Sequence, residues 1–323
     1  MLSFLRQRWF ILALIAVLVA GIGWPVAMRP IANLVSGDVI LAVITFVMAL
    51  PLETSVLWRA VRKPGPAWLG SLLSSGLAPP LGWLASRTLP AELAAGVILA
   101  TTVPSTLASA AVLTRRAGGN DAVAFLVTMI TNLACFLVIP FWLWLLMDMR
   151  AEVDFTRIVL KLLLLVVLPI IVAQVLRQLP LVGRQAVRHK LLLSVVALLG
   201  VLLMVLIGAV ECGERLASLE SDSVVSAANI LLMIAAVVAV HVVLVAMGFG
   251  LSRTFSISRE DAVGVAFSGA QKTLMVGAFL AMAVGPLAIL PMVAYHAAQL
   301  IIDTLIADWL RQRNDAASLD PEL

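Results

Sequence analysis

Apolar residues come in runs of about 20, divided by short polar connectors, along almost the whole chain. A hydrocarbon core about 30 Å thick is crossed by roughly 20 helical residues at 1.5 Å each, so each run predicts one membrane-spanning helix. The runs lie at 9–28, 34–57, 66–86, 91–114, 121–147, 156–177, 191–210, 224–250, 259–283 and 286–309. They predict an all-α polytopic membrane protein of about ten transmembrane helices. Arg6 and Arg8 precede the first run as they would in a signal peptide. That run is too long for one and others follow it, so it reads as a retained helix. The polar stretches around 148–157, 178–190 and 211–223 are too short to be soluble domains. Residues 1–313 therefore read as one transmembrane domain, followed by a polar, frayed cytoplasmic tail at 314–323.

Composition agrees. Of the 323 residues, 62% are hydrophobic and 12% charged, with a mean hydropathy of +1.09. A soluble domain carries about one quarter charged residues, and so few ionisable groups cannot cover a water-facing surface of this size. Lipid is the solvent for most of the exterior. The formal charge of +4 is spread over short connectors and forms no patch, which argues against nucleic-acid binding. Arg6 and Arg8, then Arg59, Arg62 and Lys63, then Arg115 and Arg116 fall on alternate connectors. So do Arg177, Arg184, Arg188 and Lys190, then Arg253 and Arg259, then Arg311 and Arg313. The other side holds Arg29, Arg87, Arg150, Arg157 and Arg215. Positive charge marks the cytoplasm, so both termini are expected there, in a plasma or inner cell membrane. Cys135 and Cys212 form no disulfide or metal pattern.

Ten spans divide at 148–156 into two sets of five, about 1–148 and 156–313. An odd number per half means that the halves enter from opposite sides, so a repeat would be inverted, a plan common among transporters. Span four carries a polar, proline-interrupted stretch, Thr101, Thr102, Val103, Pro104, Ser105, Thr106, Leu107, Ala108 and Ser109. Span nine, fourth in its half, carries Phe267, Ser268, Gly269, Ala270, Gln271, Lys272 and Thr273. Proline removes a backbone donor and glycine permits unwinding. Irregular backbone survives at membrane depth only inside protein or beside a water-filled cavity, so paired interruptions point to a substrate site.

Lys272 stands out, because an ammonium within an apolar span costs about 2.5–3.5 kcal/mol on insertion scales. It could bind an anionic substrate, exchange a proton or stand in for a bound cation; the bland alternatives are snorkelling or a carboxylate partner. Gln271 offers donor and acceptor groups to a carboxylate or a sodium ion. Asn120 and Asp121 suit the N-terminus of span five as cap and dipole partner. Thr128 and Asn132 share a face there, with Thr131 beside them. His241 and His296 have no partner at ligand spacing and read as packing residues; Glu53, Glu211, Asp303 and Asp308 sit near span ends, where they reach water. There is no HExxH, GxSxG or Walker A motif and no paired carboxylates on one face of a span, so an enzyme is not expected.

The residues VPSTLASAAVLTRRAGGNDAVAFLV (103–127), Pro140 and DAVGVAFSGAQKTLMVG (261–277) resemble the SBF-like branch of the bile acid:sodium symporter superfamily. The resemblance implies a core and a panel domain, spans four and nine unwound where they cross, and sodium-coupled uptake of organic anions by alternating access. It implies sodium ligands at Ser109, Thr128 and Gln271. Other ligand positions are substituted: Ala110 for Asn, Ala124 for Ser, Phe267 for Glu, and Ser75 roughly where a second Gln would fall. The implied sodium site is degraded. Lys272 stands where typical symporters have Asn, and its ammonium would replace one sodium, leaving transport less sodium-dependent or linked to protons. No cofactor is expected beyond a coupling ion, Na+ or H+. The expected site is Ser105, Thr106, Ser109, Thr128, Asn132, Gln271, Lys272 and Thr273, with a small organic anion as the partner. The branch is also associated with calcium homeostasis, so the alternative is a non-transporting membrane regulator of ion homeostasis.

Overall fold

A computed structural model describes residues 2–52, 64–107, 109–147, 155–218 and 226–319. Glu53, the cluster of Arg59, Arg62 and Lys63, and Arg150 lie outside the described residues. Among the described residues the regular structure is helical throughout. The helices are α1 (Leu2–Gly23), α2 (Pro25–Ala32), α3 (Gly37–Ala49), α4 (Gly65–Leu72), α5 (Ala78–Ala85), α6 (Ala91–Thr102), α7 (Ser109–Arg116) and α8 (Asp121–Leu146). They continue as α9 (Phe155–Leu162), α10 (Leu168–Arg177), α11 (Pro180–Arg188), α12 (Lys190–Ala217), α13 (Ala227–Thr254), α14 (Arg259–Ala270), α15 (Leu274–Val284) and α16 (Ile289–Leu319). Side-chain oxygens cap several of them: Ser36 accepts from Val39, Asn120 from Ala122, Ser226 from Asn229 and Ser258 from Asp261.

Among the described residues, six helical stretches are long and apolar enough to cross a membrane: Asp121–Leu146, Thr156–Arg177, Lys190–Ala217, Ala227–Thr254, Arg259–Val284 and Pro286–Arg313. The runs at 34–57, 66–86 and 91–114 are built from shorter pieces instead. In the first of these the described helix is α3, 13 residues long. In the second a π-helical turn, Leu73–Leu77, joins α4 to α5. The run at 9–28 is not one straight span: the chain bends by 116° between Trp9–Gly23 and Pro25–Ala32. Pro25 explains the bend, since proline cannot donate into a continuing helix but suits the first position of a new one. The expected frayed tail is also corrected, because α16 stays helical to Leu319.

The exterior and interior reverse the pattern of a water-soluble protein. Leu191, Leu192 and Leu199 of α12 and Leu231 of α13 are exposed, while Thr45, Asn132, Gln271, Gln299 and Asp303 are buried. Two groups of helices pack together. In one, α1 and α3 lie on α12, and α10 lies on α3. In the other, α14 packs against α4, α8 and α13, and α16 against α6 and α13. The apolar window of Arg259–Val284 is wholly buried, so that interrupted span runs through the protein interior.

Candidate functional site

Two breaks in the helices meet inside the second group. The first follows Thr102, where Pro104 pushes the preceding Val103 into extended backbone (φ −63°, ψ 155°). Helix resumes at Ser109 as α7. The second follows Ala270, with Gln271 extended (φ −70°, ψ 143°), and helix resumes at Leu274. The Thr273 amide donates to the Pro104 carbonyl at 2.9 Å, so each break satisfies a backbone group that the other leaves without a helical partner.

Neighbouring side chains cover further backbone groups of the breaks. On α8, Asn132 Nδ2 donates to the carbonyls of Ser105 and Thr128, both at 2.8 Å. Thr131 Oγ1 accepts from the Ser105 amide at 3.2 Å, and Thr128 Oγ1 donates to the Thr106 carbonyl at 3.3 Å. On α16, Gln299 clamps Lys272 from both sides: its Oε1 accepts from the Lys272 amide at 2.7 Å and its Nε2 donates to the Lys272 carbonyl at 2.9 Å. Tyr295 donates to the Ala270 carbonyl at 2.9 Å.

A chain of side chains then links the breaks to the interior. Ser109 Oγ donates to Gln271 Oε1 at 2.8 Å, and Gln271 Nε2 donates to Asp303 Oδ2 at 2.6 Å. Asp303 Oδ1 lies 2.8 Å from His241 Nε2, and both residues are fully buried. Lys272 is 1% exposed, and its Nζ donates to the Ser74 carbonyl at 2.5 Å and to Ser74 Oγ at 3.1 Å. No carboxylate lies within ion-pair distance of Nζ among the described residues, so the expected carboxylate alternative is set aside. The Oγ of Ser105, Oδ1 of Asn132 and Nδ1 of His241 are buried without a partner among the described residues.

The eight expected site residues thus fall into related clusters. Ser109 and Gln271 touch; Thr273 joins the two breaks; Ser105, Thr106, Thr128 and Asn132 form the support of the first break; Lys272 turns away toward Ser74. Asp303 is a correction: it does not reach water but is 0% exposed, because α16 runs ten residues beyond the apolar run that ended at 309. His241, read as an unpartnered packing residue, is its partner. Glu211 is half-buried, and Asp308 is partly exposed in a two-bond pair with Arg116, at 2.6 and 2.9 Å. Asn120 caps α8, and Asp121 accepts from Arg115 Nε at 2.7 Å.

The implied sodium ligands do not fit a sodium site. Sodium needs several oxygens converging on one point. Here Ser109 and Gln271 are bonded to each other, and Thr128 is turned to the Thr106 carbonyl. Ala110, Ala124 and Phe267 are buried and offer no side-chain oxygen.

A cavity of about 460 Å³ lies between the two helix groups. Trp9 and Phe10 of α1 and Ser194 of α12 line one wall; Thr106, Ser109 and Thr273 line the other. Arg116 and Asp308 also line it. Helices α7 and α15 both begin on this cavity, at Ser109 and Leu274. A helix N-terminus carries roughly half a positive charge and unpaired N–H groups, so the wall made by the breaks favours an anion.

The family model of the SBF-like CPA transporter family matches residues 8–312. Sodium/bile acid cotransporter 7-A of Xenopus laevis is 23% identical over 343 aligned positions, covering 99% of this chain and 97% of the relative. Probable sodium/metabolite cotransporter BASS4, chloroplastic, of Arabidopsis thaliana is 28% identical over 240 positions, which are 71% of this chain and 55% of that relative. An uncharacterised protein of Pseudomonas aeruginosa is 27% identical over 235 positions, 70% of this chain and 68% of the relative.

Proposed function

The chain belongs to the SBF-like CPA transporter family, and from that premise we propose that it is a secondary transporter moving a small organic anion through the cavity between its two helix groups. A member of a transporter family built from several long apolar helices, it is a multi-pass membrane protein and not an enzyme. The observation that carries the proposal is the placing of two helix N-termini and the hydroxyls of Ser109 and Thr273 on one cavity wall. That wall offers donors and positive helix ends, which suit a carboxylate or sulfonate. The opposite wall is aromatic and apolar apart from Ser194, which suits a hydrocarbon body. Relatives named as bile acid and metabolite cotransporters favour the same substrate class.

The topology belongs to the proposal too. Ten spans in two inverted halves, 1–148 and 156–313, would put the broken spans at corresponding fourth positions. Both termini would then be cytoplasmic, and the cavity, lined by Trp9 near the start of α1 and Asp308 late in α16, would open to the cytoplasm. Alternating access would follow if the α1, α3, α10 and α12 group rocks against the group that carries the breaks.

The test is uptake into proteoliposomes across a panel of labelled organic anions, from small carboxylates to taurocholate. Saturable uptake above empty vesicles, weakened in Ser109→Ala, is expected. Tight binding of a panel member with no flux would favour the non-transporting regulator instead.

A further inference from the structure

The partner of Lys272 follows from two adjacent prolines. In a helical run the Ser74 carbonyl would accept from the amide of residue 78 or, within a π turn, from that of residue 79. The Ala78 amide is taken by the Leu73 carbonyl, and Pro79 has no N–H. The Ser75 carbonyl meets Pro79 and Pro80 at the same offsets, and it takes the Trp142 indole N–H instead, at 2.7 Å. The π turn and Pro79–Pro80 together therefore leave two consecutive carbonyls without backbone donors, that of Ser74 buried and that of Ser75 partly buried. One is satisfied by a neutral indole. The other is satisfied by Lys272 Nζ, which also takes the Ser74 hydroxyl. A buried carbonyl and hydroxyl turned to one point are hydrogen-bond acceptors of the kind that hold an ammonium-type cation, which donates up to three such bonds. Lys272 reaches them from the end of α14, where the negative end of the helix dipole also favours positive charge.

We propose that Ser74 forms a small-cation site, built by the π turn and Pro79–Pro80, that the chain fills permanently with its own Lys272 ammonium. The site differs from the Ser109, Thr128 and Gln271 set, which does not fit sodium. For its consequence the inference rests on the transport reading: with a cation tethered in place, the cycle needs none from solution, and uptake is indifferent to sodium. Removing the tether leaves an empty cation site, which propylammonium, the fragment deleted in Lys272→Ala, should refill.

The experiment is thermal unfolding of purified protein in detergent, with propylammonium, methylammonium, sodium or choline chloride at equal ionic strength. The wild type is expected to melt at the same temperature in all four salts. Lys272→Ala is expected to melt lower in choline and to recover in propylammonium, because a ligand bound only by the folded state raises Tm. Lys272→Met, similar in volume but uncharged, is expected to melt low and to show no recovery. Recovery of Lys272→Ala in no small cation, or a Lys272→Met variant as stable as the wild type, would overturn the proposal.

Where Lys272→Ala does not fold, Pro79→Ala supplies the missing donor. The Pro79→Ala, Lys272→Ala double variant should then fold, and a double variant no better than the single one contradicts the site. A parallel measurement compares taurocholate uptake by the wild type under an inward sodium gradient and an inward choline gradient. Equal rates are expected, and sodium-driven uptake would overturn the tethered cation. Absence of uptake for every anion in the panel would contradict the transport reading, while the melting series still decides the cation site.

Discussion

Asp303 and Asp308 stand five positions apart on α16 and do different work. Asp303 is fully buried, accepting from Gln271 and paired with His241. Asp308 meets Arg116 through two bonds, but both side chains are more than one third exposed. Removing one partner of a buried pair costs about 3–5 kcal/mol, whereas an exposed pair is worth about 0–1 kcal/mol. Asp303→Ala is therefore expected to lower the denaturation midpoint far more than Asp308→Ala, measured for both variants in the same detergent. Equal effects would mean that the Gln271–Asp303–His241 chain does not hold the second break. Hydropathy alone hid this residue, because the apolar run stopped at 309 and made 303 look like a rim. A finer pattern was available. His296, Gln299 and Asp303 recur at three- and four-residue spacing, a polar stripe on an otherwise apolar helix. Ser74 carried no such sign, since its importance lies in a carbonyl freed by prolines further along the chain.

At the scale of elements, the breaks were legible because proline, glycine and small polar residues interrupted two apolar runs. What they touch was not. The Thr273–Pro104 bond and the Gln299 clamp join residues far apart in sequence, and no local pattern encodes them. The same holds for the close approach of α13 to α14. A Cβ on Gly248 would lie 2.5 Å from the Ala266 Cα, a backbone atom that cannot move aside alone. Gly248→Ala should push α14 away from α13 and so disturb the break at its end. Overpacking of this kind costs about 1–3 kcal/mol, to be read as a lower Tm with a parallel loss of uptake. A variant of unchanged stability and activity would show that the α13–α14 contact has slack. The first run also hides a break. Its hydrophobicity is continuous, but Pro25 redirects the helix by 116°, a change of direction that composition does not register.

For the molecule as a whole, charge alternation predicts the sidedness and the two helix groups give it a use. Thr254 at the end of α13 and Thr88 between α5 and α6 are both exposed. With both termini cytoplasmic, Thr254→Cys should react with a membrane-impermeant maleimide only in inverted vesicles, and Thr88→Cys only in intact cells. Cys135 and Cys212 are buried and should stay silent as background. Labelling of both introduced cysteines from one side would remove the proposed topology and the direction assigned to the cavity.

The most direct test of the account is counterflow of an organic anion by reconstituted protein with the cavity filled. Val112 lines the cavity and is 63% exposed, so Val112→Trp adds bulk there without overpacking the core. The account expects wild-type protein to exchange the anion and Val112→Trp, equally stable by melting, to exchange it at least tenfold more slowly. Exchange at the wild-type rate through the filled cavity would contradict it.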